Sequence, residues 1–350
     1  MKSIKKIFII LLIGILVLSL GACNNNSESP DGNEDLPKEI NFGILRVPND
    51  ETIGIAEGLY DKYFTEQGIQ CNFIVFDSGR EANAALASGS IDFASMGNTN
   101  AIVALATGLD VEMFWIDEVL GSIEALAVKN DSDITELKDL AGKKVATPFA
   151  STSHYILLKA LESAGIEDEV QVLDMQTTEI VAAWERGDIQ AAYVWQPSLG
   201  ALLEDGKVLI SSEEMAKEGY ITANVKVVRK AFAEKYPDLI VSYIAWLTEG
   251  GDLYRTDPEE GAQIVAEELE ITQKDALMQM QGSIWCTPEE LLGRDYFGTT
   301  GSPGNFAVIM KDTADFLKEQ QSIETSPSQE VFNDYVNPLY IEKYLETTSQ

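Results

Sequence analysis

The sequence predicts an α/β protein of two similar lobes that face each other across a cleft, with the chain crossing between them twice. Three observations carry this. Ala84-Ala85-Leu86-Ala87-Ser88-Gly89-Ser90-Ile91-Asp92-Phe93-Ala94 is echoed about 98 residues later by Ala182-Ala183-Trp184-Glu185-Arg186-Gly187-Asp188-Ile189-Gln190-Ala191-Ala192, each reading as a helix end, a glycine stop and a strand. Upstream of each copy, an apolar run closes on an aspartate, at 73–77 and at 170–174. Further upstream, a strand pattern followed by a helical one occurs at 40–47 and 51–66, and again at 144–149 and 153–164. Each half therefore reads strand, helix, strand, helix, strand, the alternation that builds a parallel sheet with helices on both faces.

The elements follow in order. Lys2, Lys5 and Lys6 precede an apolar run from 7 to 20 that ends in Leu20-Gly21-Ala22-Cys23. The run is short for a bilayer span and suits a signal peptide over residues 1–22. Residues 24–38 are polar and contain almost nothing to bury, so 23–38 reads as a flexible tether. Lobe one is expected over 39–124 plus 226–350, and lobe two over 125–225, with crossovers near 124–127 and 222–226. After a strand at 224–230, helices are expected at 232–248, 258–268, 273–281, 288–292 and 305–320. Pro258 and Pro288 stand at first helical positions, where a missing N–H costs nothing. This tail packs back onto lobe one.

The formal charge of −32 becomes −35 once residues 1–22, with three lysines and no acid, are removed. Such a surface repels nucleic acid and anionic lipid. An anion site must then be local and built from dipoles or buried donors. After Cys23 only Cys71 and Cys286 remain, read as buried thiols although they are able to pair. A single histidine, His154, and no zinc-type spacing leave no histidine-rich metal site, and the pattern calls for no cofactor.

Ligands of open α/β sheets bind beyond the carboxyl ends of the strands. That rule selects loops carrying Asn49, Asp50, Ser78, Gly79, Asn98 and Thr99 in lobe one, and Ser151, Thr152, Ser153, His154, Trp195 and Gln196 in lobe two. The Ser151-Thr152-Ser153 run is expected to hold an anion on helix-terminal N–H groups and hydroxyls without lysine or arginine. Plain helix capping is the other reading. Trp195 is a candidate wall for methylenes, whereas Trp184 and Trp246 read as core. Asp117, Glu118 and Glu124 flank the first crossover and read as a solvated acidic surface, with ammonium neutralisation as the alternative.

Several stretches resemble the nitrate/sulfonate/taurine group of ABC-importer solute receptors. They include Phe76-Asp77-Ser78-Gly79, Glu124-Ala125-Leu126, Gly142-Lys143-Lys144-Val145-Ala146-Thr147-Pro148-Phe149, Ser151-Thr152-Ser153-His154-Tyr155, Ala192-Tyr193-Val194-Trp195 and Val227-Val228-Arg229-Lys230. The resemblance spans residues 40–320. It implies a type II periplasmic-binding-protein fold, a small sulfonate such as taurine as solute, and a permease and its ATPase as partners. The segment ending in Cys23 resembles a lipobox, implying a lipoprotein held on the outer face of the cell membrane; the receptor is expected to be a monomer. In the taurine branch an aspartate is expected where Asn224 stands. Glu118 falls where a small polar residue is expected, which offers a replacement charge. The alternatives are a receptor for another small anion or amine (nitrate, an alkanesulfonate, a pyrimidine precursor) and an enzyme on the same fold. No nucleophile–base pair supports the enzyme.

Overall fold

The computed structural model describes residues 36–348. The signal segment, Cys23 and most of the expected tether lie outside them.

The chain runs β1 (Glu39–Leu45), α1 (Asp50–Ala56), α2 (Tyr60–Tyr63), β2 (Gln70–Phe76), α3 (Gly79–Ser88), β3 (Phe93–Gly97), α4 (Asn98–Ala106) and β4 (Val111–Leu120). A second set follows: β5 (Glu124–Lys129), β6 (Lys144–Thr147), α5 (Thr152–Ala164), β7 (Gln171–Asp174), α6 (Thr177–Glu185), β8 (Ala191–Trp195), α7 (Ser198–Leu203), β9 (Gly206–Ser211) and α8 (Ser212–Lys217). The remainder is β10 (Ala223–Arg229), α9 (Lys230–Lys235), α10 (Pro237–Thr256), α11 (Pro258–Leu269), α12 (Gln273–Gln281), β11 (Ser283–Ile284), α13 (Pro288–Leu291), α14 (Asn305–Glu319), α15 (Gln329–Tyr335) and α16 (Leu339–Thr348).

Two main sheets result, with strand orders β11-β4-β10-β3-β1-β2 and β7-β6-β8-β5-β9, beside a small hairpin of Gly298–Thr299 with Ser302–Pro303. The repeat in the sequence is a repeat in topology. In each main sheet one strand, β1 or β6, sits between two parallel neighbours, β2 and β3 or β7 and β8, and strands in antiparallel succession extend the sheet from there: β10, β4 and β11 beyond β3, and β5 and β9 beyond β8. The glycine stops of the echo do the same job twice. Gly89 (φ +73°) and Gly187 (φ +75°) sit in the left-handed region that ends a helix, where a Cβ is disfavoured.

The chain leaves the first sheet at Leu120 and enters the second at Glu124; it returns at Ala223. The strand that leaves, β4, and the strand that returns, β10, are hydrogen-bonded neighbours. The two connections therefore lie side by side, as a hinge requires.

Two expected helices differ. The span 51–66 is broken, because Gly58 (φ +64°) ends α1 before α2 begins. The span 232–248 divides at Tyr236, which precedes Pro237 and is pushed out of helical geometry (φ −132°, ψ 53°), after which α10 runs on to Thr256. Gly250 sits inside α10 because a Cβ there would lie 2.3 Å from the Asp50 carbonyl oxygen. β4 escaped the sequence reading because Glu112, Asp117 and Glu118 interrupt its apolar residues; all ten of its residues are buried nonetheless.

The core of the first sheet is aromatic. Phe42 packs against Phe64, Phe73, Phe93, Tyr243 and Trp246. Trp184 is core in the second lobe. Cys71 and Cys286 are both free thiols packed at the first core. Among the described residues no helix is long and apolar enough to cross a membrane.

Candidate functional site

A cleft opens between the carboxyl ends of the two sheets. From the first sheet it is lined by Leu45, Val47, Pro48, Ser78, Gly79, Arg80, Gly97, Asn100, Leu120 and Asn224. The second contributes Ile123, Glu124, Pro148, Phe149, Ser151, Thr152, Gln176, Trp195 and Gln196. Leu45, Val47, Leu120, Ile123, Phe149 and Trp195 give it apolar walls suited to short methylene chains.

Its polar character comes from helix starts. Ser78 and Gly79 open α3, Gly97 and Asn100 open α4, Ser151 and Thr152 open α5, and Gln176 precedes α6. The first N–H groups of a helix have no intrahelical partner and carry partial positive charge. Four such ends converging on one cavity favour a compact anion. Ser78 adds a specific donor. It occupies the N-cap of α3 without capping it, and its hydroxyl is buried at the cleft with no partner.

The Ser151-Thr152-Ser153 run works differently from expectation. Ser151 Oγ donates to the Pro148 carbonyl and accepts from His154 N (3.1 Å). Thr152 Oγ1 and Ser153 Oγ both donate to Glu124 Oε2, the latter at 3.0 Å. All three hydroxyl hydrogens are engaged within the protein, so the run offers the cleft its backbone N–H groups.

Glu124 is the acceptor those hydroxyls serve. Its other oxygen accepts from Ser212 Oγ at 2.7 Å. Burial pushes its carboxyl above the ordinary value, and the hydroxyls of Thr152, Ser212 and Ser153 pull the other way. The expectation of a solvated acidic surface at the first crossover is corrected: Asp117, Glu118 and Glu124 are all buried, and Glu124 faces the cleft. Three hydroxyl residues at 152, 153 and 212 were visible in the sequence, but nothing local ties them to residue 124.

The expected absence of a cation is corrected too. Arg80, in the first turn of α3, lines the cleft and spans it. Its Nη2 donates to the Phe149 carbonyl (2.9 Å) and lies 3.4 Å from Asp174 Oδ2. Thr99 Oγ1 (3.2 Å) and Asn100 Nδ2 (2.9 Å) both donate to the Ala150 carbonyl, completing a clasp between the lobes.

Of the residues expected at the site, Ser78, Gly79, Ser151, Thr152, Trp195, Gln196 and Asn224 come together in the wall. The others stand behind it. Asn49 caps α1 through Thr52 N. Asp50 accepts from Trp115 Nε1 (2.9 Å), and burial pushes it up to about 6. Asn98 Oδ1 accepts from Ala223 N. Thr99 belongs to the clasp and Ser153 to the Glu124 network. His154 stacks on Phe149 with centroids 4.3 Å apart, and its Nδ1 accepts from Ala150 N. Burial lowers its pKa to about 4, so the imidazole is neutral at physiological pH and supplies no charge. Glu118 accepts from Asn224 Nδ2 at 2.6 Å.

Beneath this wall Lys226 Nζ lies 2.9 Å from Glu51 Oε2 and 3.0 Å from Asp117 Oδ1, with Ser95 Oγ at 2.7 Å. Burial opposes its charge, but Asp117, Glu51 and Asp50 outweigh that and hold it ionised.

Residues 49–261 match the family model described as NMT1/THI5 like. The chain belongs to the NMT1/THI5-like family. Two relatives are informative beside that match. The taurine-binding periplasmic protein of Escherichia coli K12 is 37% identical over 304 residues, covering 85% of this chain and 90% of its own. A putative aliphatic sulfonates-binding protein of Bacillus subtilis 168 is 27% identical over 281 residues, covering 76% and 82%. The crystal structure of the periplasmic aliphatic sulphonate binding protein SsuA of Escherichia coli superposes with a TM-score of 0.69 at 23% identity, covering 83% of this chain and 90% of that one. This NMT1/THI5-like chain has the two-lobed fold expected from its sequence.

Proposed function

We propose that this chain is the solute receptor of an ABC-type importer, holding taurine or a related small sulfonate between its lobes and closing on it. It is a binding protein and not an enzyme. The observation that carries the reading is the convergence of the helix starts of α3, α4, α5 and α6 on one cleft in which the Ser78 hydroxyl has no partner within the protein. A tetrahedral sulfonate accepts from several N–H and O–H donors at once, and the apolar walls suit its short carbon chain. The names of the two relatives support the sulfonate class.

Glu124 supplies a negative group in the same cleft, which favours a solute that also carries an ammonium. The ligand set combines Ser78, Gly79, Arg80, Ser151, Thr152, Trp195, Gln196 and Asn224 with Glu124. Residues 1–22 are the signal peptide, Cys23 carries the lipid, and 23–38 tether a monomeric receptor to the outer face of the cell membrane beside its permease. Lobe one comprises 39–123 plus 223–350, and lobe two 124–222, shifted by one to three residues from the expected bounds because Glu124 lies in β5 and Ala223 in β10. A receptor for another small anion is the alternative.

A ligand that binds only the native state raises its melting temperature. The purified protein is expected to melt at higher temperature with millimolar taurine, less so with ethanesulfonate, and not with nitrate. No shift with either sulfonate would overturn the reading.

A further inference from the structure

Behind the cleft wall, the chain places four carboxylates, Asp50, Glu51, Asp117 and Glu118, around one ammonium, Lys226, and buries all five. They are not equivalent. Glu51 is held by Lys226, Ser95 and Tyr243. Asp50 is held by Trp115; Asp117 has the Lys226 ammonium at Oδ1 as an ion pair, with Oδ2 buried and without a partner. Glu118 has only Asn224, through one oxygen; its Oε2 is buried without a partner. Asn224 is itself part of the cleft wall.

The charged and titratable surroundings of Glu118 are unbalanced. α1 presents Asp50 and Glu51, its own strand Asp117, β10 presents Lys226, and α10 presents Tyr243, which bonds to Glu51. Tyr335 of α15 and Tyr340 of α16 lie at Glu112, toward the other end of β4. β11 and α4 bring no ionisable residue. One ammonium shared among four acids leaves Glu118 without a counter-charge of its own. Burial pushes its carboxyl up to about 8, against the pull of Asn224.

The side-chain amide of Asn224 joins this acid to the cleft. With Nδ2 donating to Glu118, the amide oxygen is the group left to accept from a solute. An ammonium bound there polarises the amide, and hydrogen bonds in series strengthen one another at low dielectric. A positive charge nearby favours the ionised carboxyl. We propose that Glu118 is a proton-exchanging counter-charge acting through Asn224: binding of a solute ammonium at the Asn224 amide oxygen ionises the Glu118 carboxyl, and its proton passes to solvent. The step balances, with one O–H bond of Glu118 broken, one proton gained by buffer, and one positive charge delivered by the solute. This rests on the reading of the chain as a receptor for a small aminosulfonate and adds a positioning residue that selects for the amine.

The test is isothermal titration calorimetry of the intact protein with taurine at pH 7, repeated in buffers of different ionisation enthalpy, with ethanesulfonate as the amine-free probe. Taurine is expected to release close to one proton and ethanesulfonate none. Taurine affinity should rise by up to about tenfold per pH unit between pH 6 and 7. Glu118→Gln keeps an acceptor for Asn224 but has no proton to lose, so the release and the pH dependence should both vanish. Taurine binding with no buffer dependence overturns the proposal and leaves the receptor reading intact. The same holds if Glu118→Gln releases the same proton. Failure of both probes to bind overturns both readings.

Discussion

Thr152 donates its hydroxyl hydrogen to the buried carboxylate of Glu124, 28 residues earlier in the chain. The residue that opens α5 is thereby tied to the strand that opens the second sheet, and the carboxylate is fixed at the cleft. Glu124→Gln keeps the shape and removes the charge. Taurine affinity is expected to fall by about 1.5–3 kcal/mol, the range for a hydrogen bond to a charged group, while ethanesulfonate affinity changes little. Competition titrations of the two solutes check this, and equal losses for both would count against Glu124 as the amine's partner.

Ser78 and Ser151 both precede helices that start at the cleft, but only Ser151 caps its helix. Ser78→Ala removes an unpartnered hydroxyl, so the ligand-free melting temperature should hold while sulfonate binding weakens by roughly 1 kcal/mol. Ser151→Ala removes a cap and is expected to lower stability by about 1 kcal/mol in urea unfolding. A reversed pattern would place the solute against α5 and not α3.

Arg80 joins the lobes through Phe149 and Asp174 from a half-exposed position, where an ion pair contributes about 1 kcal/mol at most and salt screens it. Arg80→Gln is expected to loosen the ligand-free clasp. Small-angle scattering should show a larger radius of gyration for the variant, with the unaltered protein moving toward it at high salt. Superimposable curves would remove Arg80 from the closing contacts.

His154 is the only histidine in the chain, so its ring protons report on one site. Its folded-state pKa, lowered by burial to about 4, lies below the ordinary 6.5. The folded protein therefore binds less proton than the unfolded chain between those values. This contribution is complete above pH 6.5 and is lost as pH falls through about 4; it amounts to at most about 3 kcal/mol. An NMR titration should give a midpoint near pH 4, and a midpoint near 6.5 would show the ring to be solvated.

Lys226 is the ammonium among the four buried acids. Lys226→Met strands Glu51 and Asp117 without a cation and is expected to cost about 3–5 kcal/mol, because a buried charge left alone is worse than a buried pair. Urea unfolding at pH 7 measures it. Part of the loss should return as the pH is lowered, because burial, which pushes the Asp117 carboxyl up, favours its neutral form. No recovery would mean the damage is one of packing.

The repeat at 84–94 and 182–192, the glycine stops at Gly89 and Gly187, and the proline-started helices at Pro258 and Pro288 were all legible from the sequence. Each is a local matter of apolar spacing and backbone freedom within a few residues. Their regular alternation carried the two-lobed fold and the loops at the strand ends. The sequence by itself could not decide which polar groups are left for a solute. That depends on partners brought together by folding: Ser153 with Glu124 across 29 residues, Asn224 with Glu118 across 106, Lys226 with Ser95 across 131. A donor already satisfied inside the protein is unavailable to a ligand, and a buried acid with one partner differs from the same acid in water. The tertiary structure therefore decided that the Ser151-Thr152-Ser153 hydroxyls face inward, that Ser78 remains open, and that the acids at the crossover belong to the interior.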